Sequence, residues 1–231
     1  MAGTNPGNAG VHRWQSHTDA AAAATACAEH LGTRIAAVLE TQEVCHVALP
    51  GGRTPAACLA HLAKQSLPWE RVHWYLGDER CLPVGDAERN DNMIEQHLWR
   101  VIDAPESNRH PIPAELGAER AADSYTGLID ALDRLDIVLL GMGEDGHTAS
   151  LFPDNPALED KRAAVPVHHA PKPPGERVSL GINTLQAATE RVVLTTGTGK
   201  RDAIEQVRAG VALPINCIGP LLWFTDKAAV E

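Results

Sequence analysis

Apolar residues in this chain gather in short runs of branched and aromatic side chains, separated by longer stretches where they recur every three or four positions. The runs VCHVAL (44–49), VHWYL (72–76), IVLL (137–140), RVVLTT (191–196) and LLWF (221–224) are too short for typical helices and read as buried strands. RVSLGI (177–182) alternates like a half-buried strand. Residues 18–39 place Leu31, Ile35, Val38 and Leu39 on one helical face, and residues 118–132 do the same with Tyr125, Leu128, Ile129 and Leu132. Further helices are expected over 56–64, 90–101, 184–188 and 201–208, with Asn90 and Asn183 as caps, and 226–230 completes the pattern. Residues 1–10 read as a loose tail, 103–117 as a proline-rich surface crossing, and 156–176 as an irregular loop long enough to act as a lid.

Strand and helix alternate, which predicts one α/β domain over 11–231: a Rossmann-like, mostly parallel sheet with helices on both faces. In such sheets ligands bind beyond the carboxyl ends of the strands. The loops that leave those ends are therefore where chemistry is sought.

Composition narrows the ligand. Twenty basic against thirty acidic residues leave a net charge of -10, which opposes nonspecific attraction to nucleic acid or an anionic membrane. An anionic ligand would need local, specific cations. Five scattered cysteines, odd in number and without a C-x-x-C pair, point to a reducing, cytoplasmic setting. No stretch reaches membrane-spanning length, and the alanine-rich segment near the start lacks the form of a signal peptide.

The densest candidate chemistry lies in DIVLLGMGEDGHTASLFP (136–153), where a strand stops at glycine and His147 arrives beside Glu144 and Asp145. The segment contains G-x-G-x-x-G, yet two carboxylates sit inside the loop and Pro153 and Pro156 cut short any following helix, so a nicotinamide dinucleotide is not expected. PGGRTP (50–55) suits either a tight turn with a capped helix or an anion cradle, in which glycines let amides approach a phosphate and Thr54 caps or donates. GDER (77–80) is either a surface ion-pair cluster or a site where Arg80 forks onto a phosphate, held by Asp78 or Glu79. GTGK (197–200) opens a helix with a lysine suited to an anion. His168 and His169 lack further ligand-spaced partners and read as solvated loop residues.

Taken together, LPGGRTP (49–55), GDERCLPVGDAERN (77–90), LGMGEDGHTASLFP (140–153) and RVSL (177–180) resemble, in order and spacing, the 6-phosphogluconolactonase family. The resemblance implies a fold like that of glucosamine-6-phosphate deaminase and ribose-5-phosphate isomerase. It also implies hydrolysis of 6-phosphogluconolactone to 6-phosphogluconate in the oxidative pentose phosphate pathway, by a monomer or weak homodimer, without metal or nucleotide cofactor. By matching position, His147 is then the catalytic acid/base and Asp145 shares its loop. Gly51, Gly52, Arg53 and Thr54 form the phosphate cradle, with Arg80, Arg177 and Lys200 as cationic contacts. Pro50 and Arg89 stand where relatives commonly carry serine. The rival readings are a sugar-phosphate isomerase or deaminase on the same fold, and a noncatalytic sugar-phosphate sensor.

Overall fold

The structure is a computed structural model that describes residues 12–231, so the tail read at 1–10 lies outside the described residues. In chain order the elements begin with β1 (Arg13–His17), α1 (Ala20–Leu39), β2 (Cys45–Leu49), α2 (Arg53–Leu62), β3 (Val72–Leu76) and β4 (Asp78–Arg80). There follow α3 (Asn90–Ile94), which runs on into a wider turn to Trp99, then β5 (Arg109–His110), α4 (Ala118–Ile129), β6 (Ile137–Leu140) and β7 (Ala164–Val167). The chain ends with β8 (Arg177–Leu180), α5 (Ile182–Ala187), β9 (Glu190–Thr195), α6 (Arg201–Arg208), α7 (Pro214–Cys217), β10 (Leu222–Asp226) and α8 (Lys227–Val230).

Seven strands form one sheet in the order β1-β10-β9-β6-β2-β3-β5, and every pairing in it is parallel. All side chains of β6 and β10 are buried. Because successive residues of a strand point to opposite faces, this burial means that the sheet is covered on both sides. Asp19 starts α1 by accepting a hydrogen bond from the Ala22 amide at 2.9 Å, and α1 then packs along α2 and across β10. Among the described residues no helix is long and apolar enough to cross a membrane.

A second, antiparallel sheet of order β4-β8-β7 sits beside the first. Its existence corrects the sequence reading in several places. Asp78 to Arg80 of the GDER segment form β4, with both carboxylates buried instead of in a surface ion-pair cluster, and the 156–176 stretch contains β7, whose Pro166 sits on a sheet edge where the missing amide leaves no ladder bond unmade. β8 is buried on both faces, not half-buried, because it is the central strand of this sheet and α4 packs over it. β1, exposed at three of its five positions, and the two-residue β5 carry too little apolar pattern to be read as strands. Neither asparagine caps a helix: Asn90 is the first residue of α3 after Arg89, and Asn183 lies inside α5 after Gly181.

One buried tyrosine holds the edge of the main sheet at the point where the chain turns into β4. β5 pairs with β3 only at Trp74 and Tyr75, so the ladder ends before Leu76. The Tyr125 hydroxyl of α4 replaces the missing strand: it accepts from the Leu76 amide at 2.9 Å and lies 3.3 Å from the carbonyls of Leu76 and His110. Tyr125→Phe would leave that buried amide without a partner, and we expect a loss of ~1–3 kcal/mol of stability. Urea denaturation with an unchanged slope and a lower midpoint is the expected record; an unchanged midpoint would remove this role from the hydroxyl.

Candidate active site

After β2 the chain adds β3 and β5 on one side, then returns with β6 on the other side of β2, followed by β9 and β10. The order reverses between β2 and β6, and the crevice outside the carboxyl ends of two such strands is where open α/β sheets bind ligands. A cavity of about 520 Å³ opens there, walled by the loop after β2 (Pro50 to Arg53), the loop after β6 (Gly141 to Gly143, His147, Ala149) and side chains of β4 and β8.

The wall from β6 is built by turn chemistry. The Asp145 side chain accepts from the amide of His147 two residues on, at 3.2 Å, as aspartate commonly does to close a turn. The same oxygen, Oδ1, lies 2.5 Å from His147 Nδ1. An ionised carboxylate only accepts, so Nδ1 carries the proton and Nε2 is the nitrogen available for proton exchange. Gly146 supplies the turn at φ +77°, and the Gly143 amide closes it onto the His147 carbonyl at 2.8 Å. The loop passes into a bridged turn between Thr148 and Leu151 instead of a helix, so the G-x-G-x-x-G pattern presents no helix N-terminus to a pyrophosphate.

The His147 ring packs against Phe152 at 4.4 Å between centroids, tilted by 43°, with 18% of its side chain exposed. Burial holds its imidazole below the ordinary histidine value, against the upward pull of Asp145 and, more weakly, Asp78. Burial acts to raise Asp145, but the charge and hydrogen bonds of His147 outweigh it and keep the carboxyl below its ordinary value.

The opposite wall begins at α2, which starts earlier than the sequence suggests. Gly52 is its N-cap at φ +106°, and no side chain caps the helix. The first amides of α2 are therefore left facing outward beside Gly51, Gly52 and Arg53, all of which line the cavity. Thr54 does not line it; its hydroxyl turns to Thr196 at 3.2 Å. Gly51 is obligatory for a different reason: a Cβ there would sit 1.8 Å from Asn90 Oδ1.

Asn90 links the two walls. Its side-chain Nδ2 donates to the Asp78 carbonyl at 2.8 Å and to Asp78 Oδ1 at 3.2 Å, while the Ser150 hydroxyl donates to Asp78 Oδ2 at 2.5 Å. Glu79 is fully buried and does not hold the Arg80 guanidinium. It accepts from the amides of Arg80, Asn90 and Asp91, each at 2.8 Å, and burial pushes its carboxyl up to about 7 against those donors. Arg89 is likewise buried behind the site, tied to Asp91, Glu115 and the carbonyls of Leu82 and Ile112.

Arg80 and Arg177 stand opposite each other in the β4–β8 register, and both line the cavity. Arg80 donates to the Glu88 carbonyl, and its buried Nε has no partner among the described residues. Lys200 completes the cationic lining. Burial lowers its ammonium below the ordinary lysine value, with Glu144 pulling the other way. Lys172, Phe152 and Pro173 also line the cavity and were not singled out from the sequence. The signal for Lys172 was present, since it lies in a proline-rich loop leading into the RVSL motif.

A family model described as glucosamine-6-phosphate isomerases/6-phosphogluconolactonase matches residues 18–223. A 6-phosphogluconolactonase of Mycobacterium leprae is 35% identical over 225 residues, covering 88% of this chain and 91% of that one. The GDH/6PGL endoplasmic bifunctional protein of Oryctolagus cuniculus is 37% identical over 80% of this chain, which spans about a quarter (26%) of that protein's length. Among solved structures, 6-phosphogluconolactonase from Thermotoga maritima superposes with a TM-score of 0.88 at 27% identity, covering 94% of this chain and 100% of that one. With its motif loops gathered at the sheet's switch point and nearly its whole length matched, the chain belongs to the glucosamine-6-phosphate isomerase/6-phosphogluconolactonase family.

Proposed function

We propose that the protein hydrolyses 6-phosphogluconolactone to 6-phosphogluconate, the lactone step of the oxidative pentose phosphate pathway, with His147 as the acid/base. The observation that carries this reading is the Asp145-oriented imidazole facing a cavity lined by Arg53, Arg80, Arg177 and Lys200. In a protein of net charge -10, that local concentration of cations supports an anionic substrate. The free amides at the start of α2, with Gly51, Gly52 and Arg53, suit its phosphate. The thiols of Cys27, Cys45 and Cys58, buried as small core residues, are in keeping with the reducing environment of the cytoplasm.

The chemistry follows from the geometry. His147 Nε2 takes a proton from water as the water oxygen bonds to the lactone carbonyl carbon, and the carbonyl π electrons move onto oxygen. Collapse of the tetrahedral adduct reforms the carbonyl and breaks the bond to the ring oxygen. That oxygen takes the proton back from the imidazolium, and the new carboxylic acid ionises in water. Asp145 fixes the tautomer and stabilises the imidazolium formed in between. Phosphate contacts far from the reacting carbon hold the ester for attack. An isomerase would need a carboxylate free to abstract a carbon-bound proton, whereas both oxygens of Asp78 accept hydrogen bonds from Ser150 and Asn90.

Lactone disappearance, measured against the spontaneous rate in the same buffer, tests the reading. We expect turnover well above buffer and a fall in kcat/KM on the acid side as His147 protonates. Burial disfavours the imidazolium, so the midpoint of that fall should lie below about 6.5. A rate equal to buffer, with ammonia release or aldose–ketose interconversion in its place, would overturn the assignment.

A further inference from the structure

We infer that Lys172 supplies the positive charge facing the reacting carbon, and that Arg177 is the positioning residue that holds the loop of Lys172 over the cavity. This rests on the lactonase reading above and gives Arg177, which the family resemblance cast as a direct contact to the substrate, a positioning role through its Nε and Nη2 donors.

Three of the five N–H donors of Arg177 are committed to the loop. Nη2 donates to the Lys172 carbonyl at 2.8 Å and to the Pro173 carbonyl at 3.3 Å, and Nε donates to the Pro174 carbonyl at 3.1 Å. Its guanidinium lies 5.4 Å from the centroid of Phe152, the ring against which His147 packs. One planar fork thus joins the support of the imidazole to three consecutive carbonyls of the loop. Lysine could not reproduce this, since an ammonium lacks the fixed spread of donors.

Elsewhere, among the described residues, the hydrogen bonds of the loop lie at its feet. The Ala170 amide donates to the Gly175 carbonyl at 2.9 Å, and His168 Nδ1 pairs with Glu176 at 2.6 Å. The apex, where Lys172 projects, is held by Arg177. Lys172 lines the cavity from an exposed position at its mouth. A cation placed there serves the oxygen that becomes negative when water adds to the lactone.

The charged groups around His147 are Asp145 on its own loop, Asp78 on β4 and Lys172 on the loop before β8, with Arg177 and Lys200 on the same cavity wall. Among them Lys172 is the one whose charge pushes the imidazole down, and it acts in the same direction on Lys200.

The test compares Lys172→Met, Arg177→Lys and the double variant in kcat and KM for the lactone, with the His147 ring followed by NMR titration of the free protein. Lys172→Met is expected to lower kcat on the order of tenfold, with KM moved less, and to raise the pH at which His147 titrates. Arg177→Lys keeps a charge in place yet should move both readouts the same way, and the double variant should be no worse than the poorer single one. Asp145→Asn, which removes an upward pull, should shift the His147 titration down and so checks the sensitivity of the method.

A rise in KM alone would place Lys172 at the phosphate and overturn the inference. An unmoved His147 titration, or losses that multiply in the double variant, would overturn it as well. Failure of the lactonase reading is separate: it would appear as wild-type turnover no faster than buffer, while the titration of His147 still reports whether Lys172 faces it.

Discussion

His147→Ala should lower kcat for lactone hydrolysis by ~10²–10⁴-fold, the usual contribution of a positioned general acid–base. The expectation is specific because one side chain carries both proton transfers. Nδ1 is engaged by Asp145 at 2.5 Å, and Asp78, the carboxylate that lines the cavity, has both oxygens hydrogen-bonded. Binding should survive, since the cations and helix amides that suit the phosphate do not depend on the imidazole. The variant should therefore hold 6-phosphogluconate with an affinity within a few-fold of wild type while turnover collapses. If kcat stays within a few-fold of wild type, the proton is moved by another group and the mechanism drawn here is wrong.

Gly143→Ala is expected to cost ~10²-fold or more in kcat/KM without unfolding the protein. A Cβ at position 143 would lie 2.0 Å from His147 Nδ1 and 2.6 Å from Asp145 Oδ1, well inside contact distance of both partners. The backbone at Gly143 is not in the left-handed region, so alanine meets no conformational penalty there and the damage falls on the pair. The ring must tilt or shift to make room, and a displacement of about 1 Å at a catalytic group costs ~10²-fold. Urea denaturation should give a midpoint close to wild type alongside the lost activity. Full activity in the alanine variant would mean that the His147–Asp145 contact is not needed for turnover.

The two predictions mark how far local sequence reached. His147 and Asp145 are two residues apart, and the turn that joins them is closed by the aspartate itself; the sequence placed His147 beside Glu144 and Asp145 but left open which carboxylate orients its ring. The PGGRTP loop was likewise placed by its local residues, although the helix begins at Arg53 and Thr54 turns away to Thr196. That contact joins residues from different loops and left no mark in the sequence around Thr54. The surface ion-pair reading of GDER failed because Asp78 and Glu79 become buried once β8 pairs with the segment.

The alternation of apolar runs with helical faces determined the α/β class, the parallel sheet and the end of it where the loops gather, because side-chain periodicity and turn chemistry act between near neighbours. Only the tertiary structure decided which cations meet. Arg80 faces Arg177 because β4 pairs with β8 in one register, and the carbonyls that Arg177 holds exist as a group only once the loop before β8 has folded back. A strand register is set by burial and by partners distant in the chain, so the contacts of Asp78, Asn90, Lys172 and Arg177 became visible only when the two sheets were placed side by side.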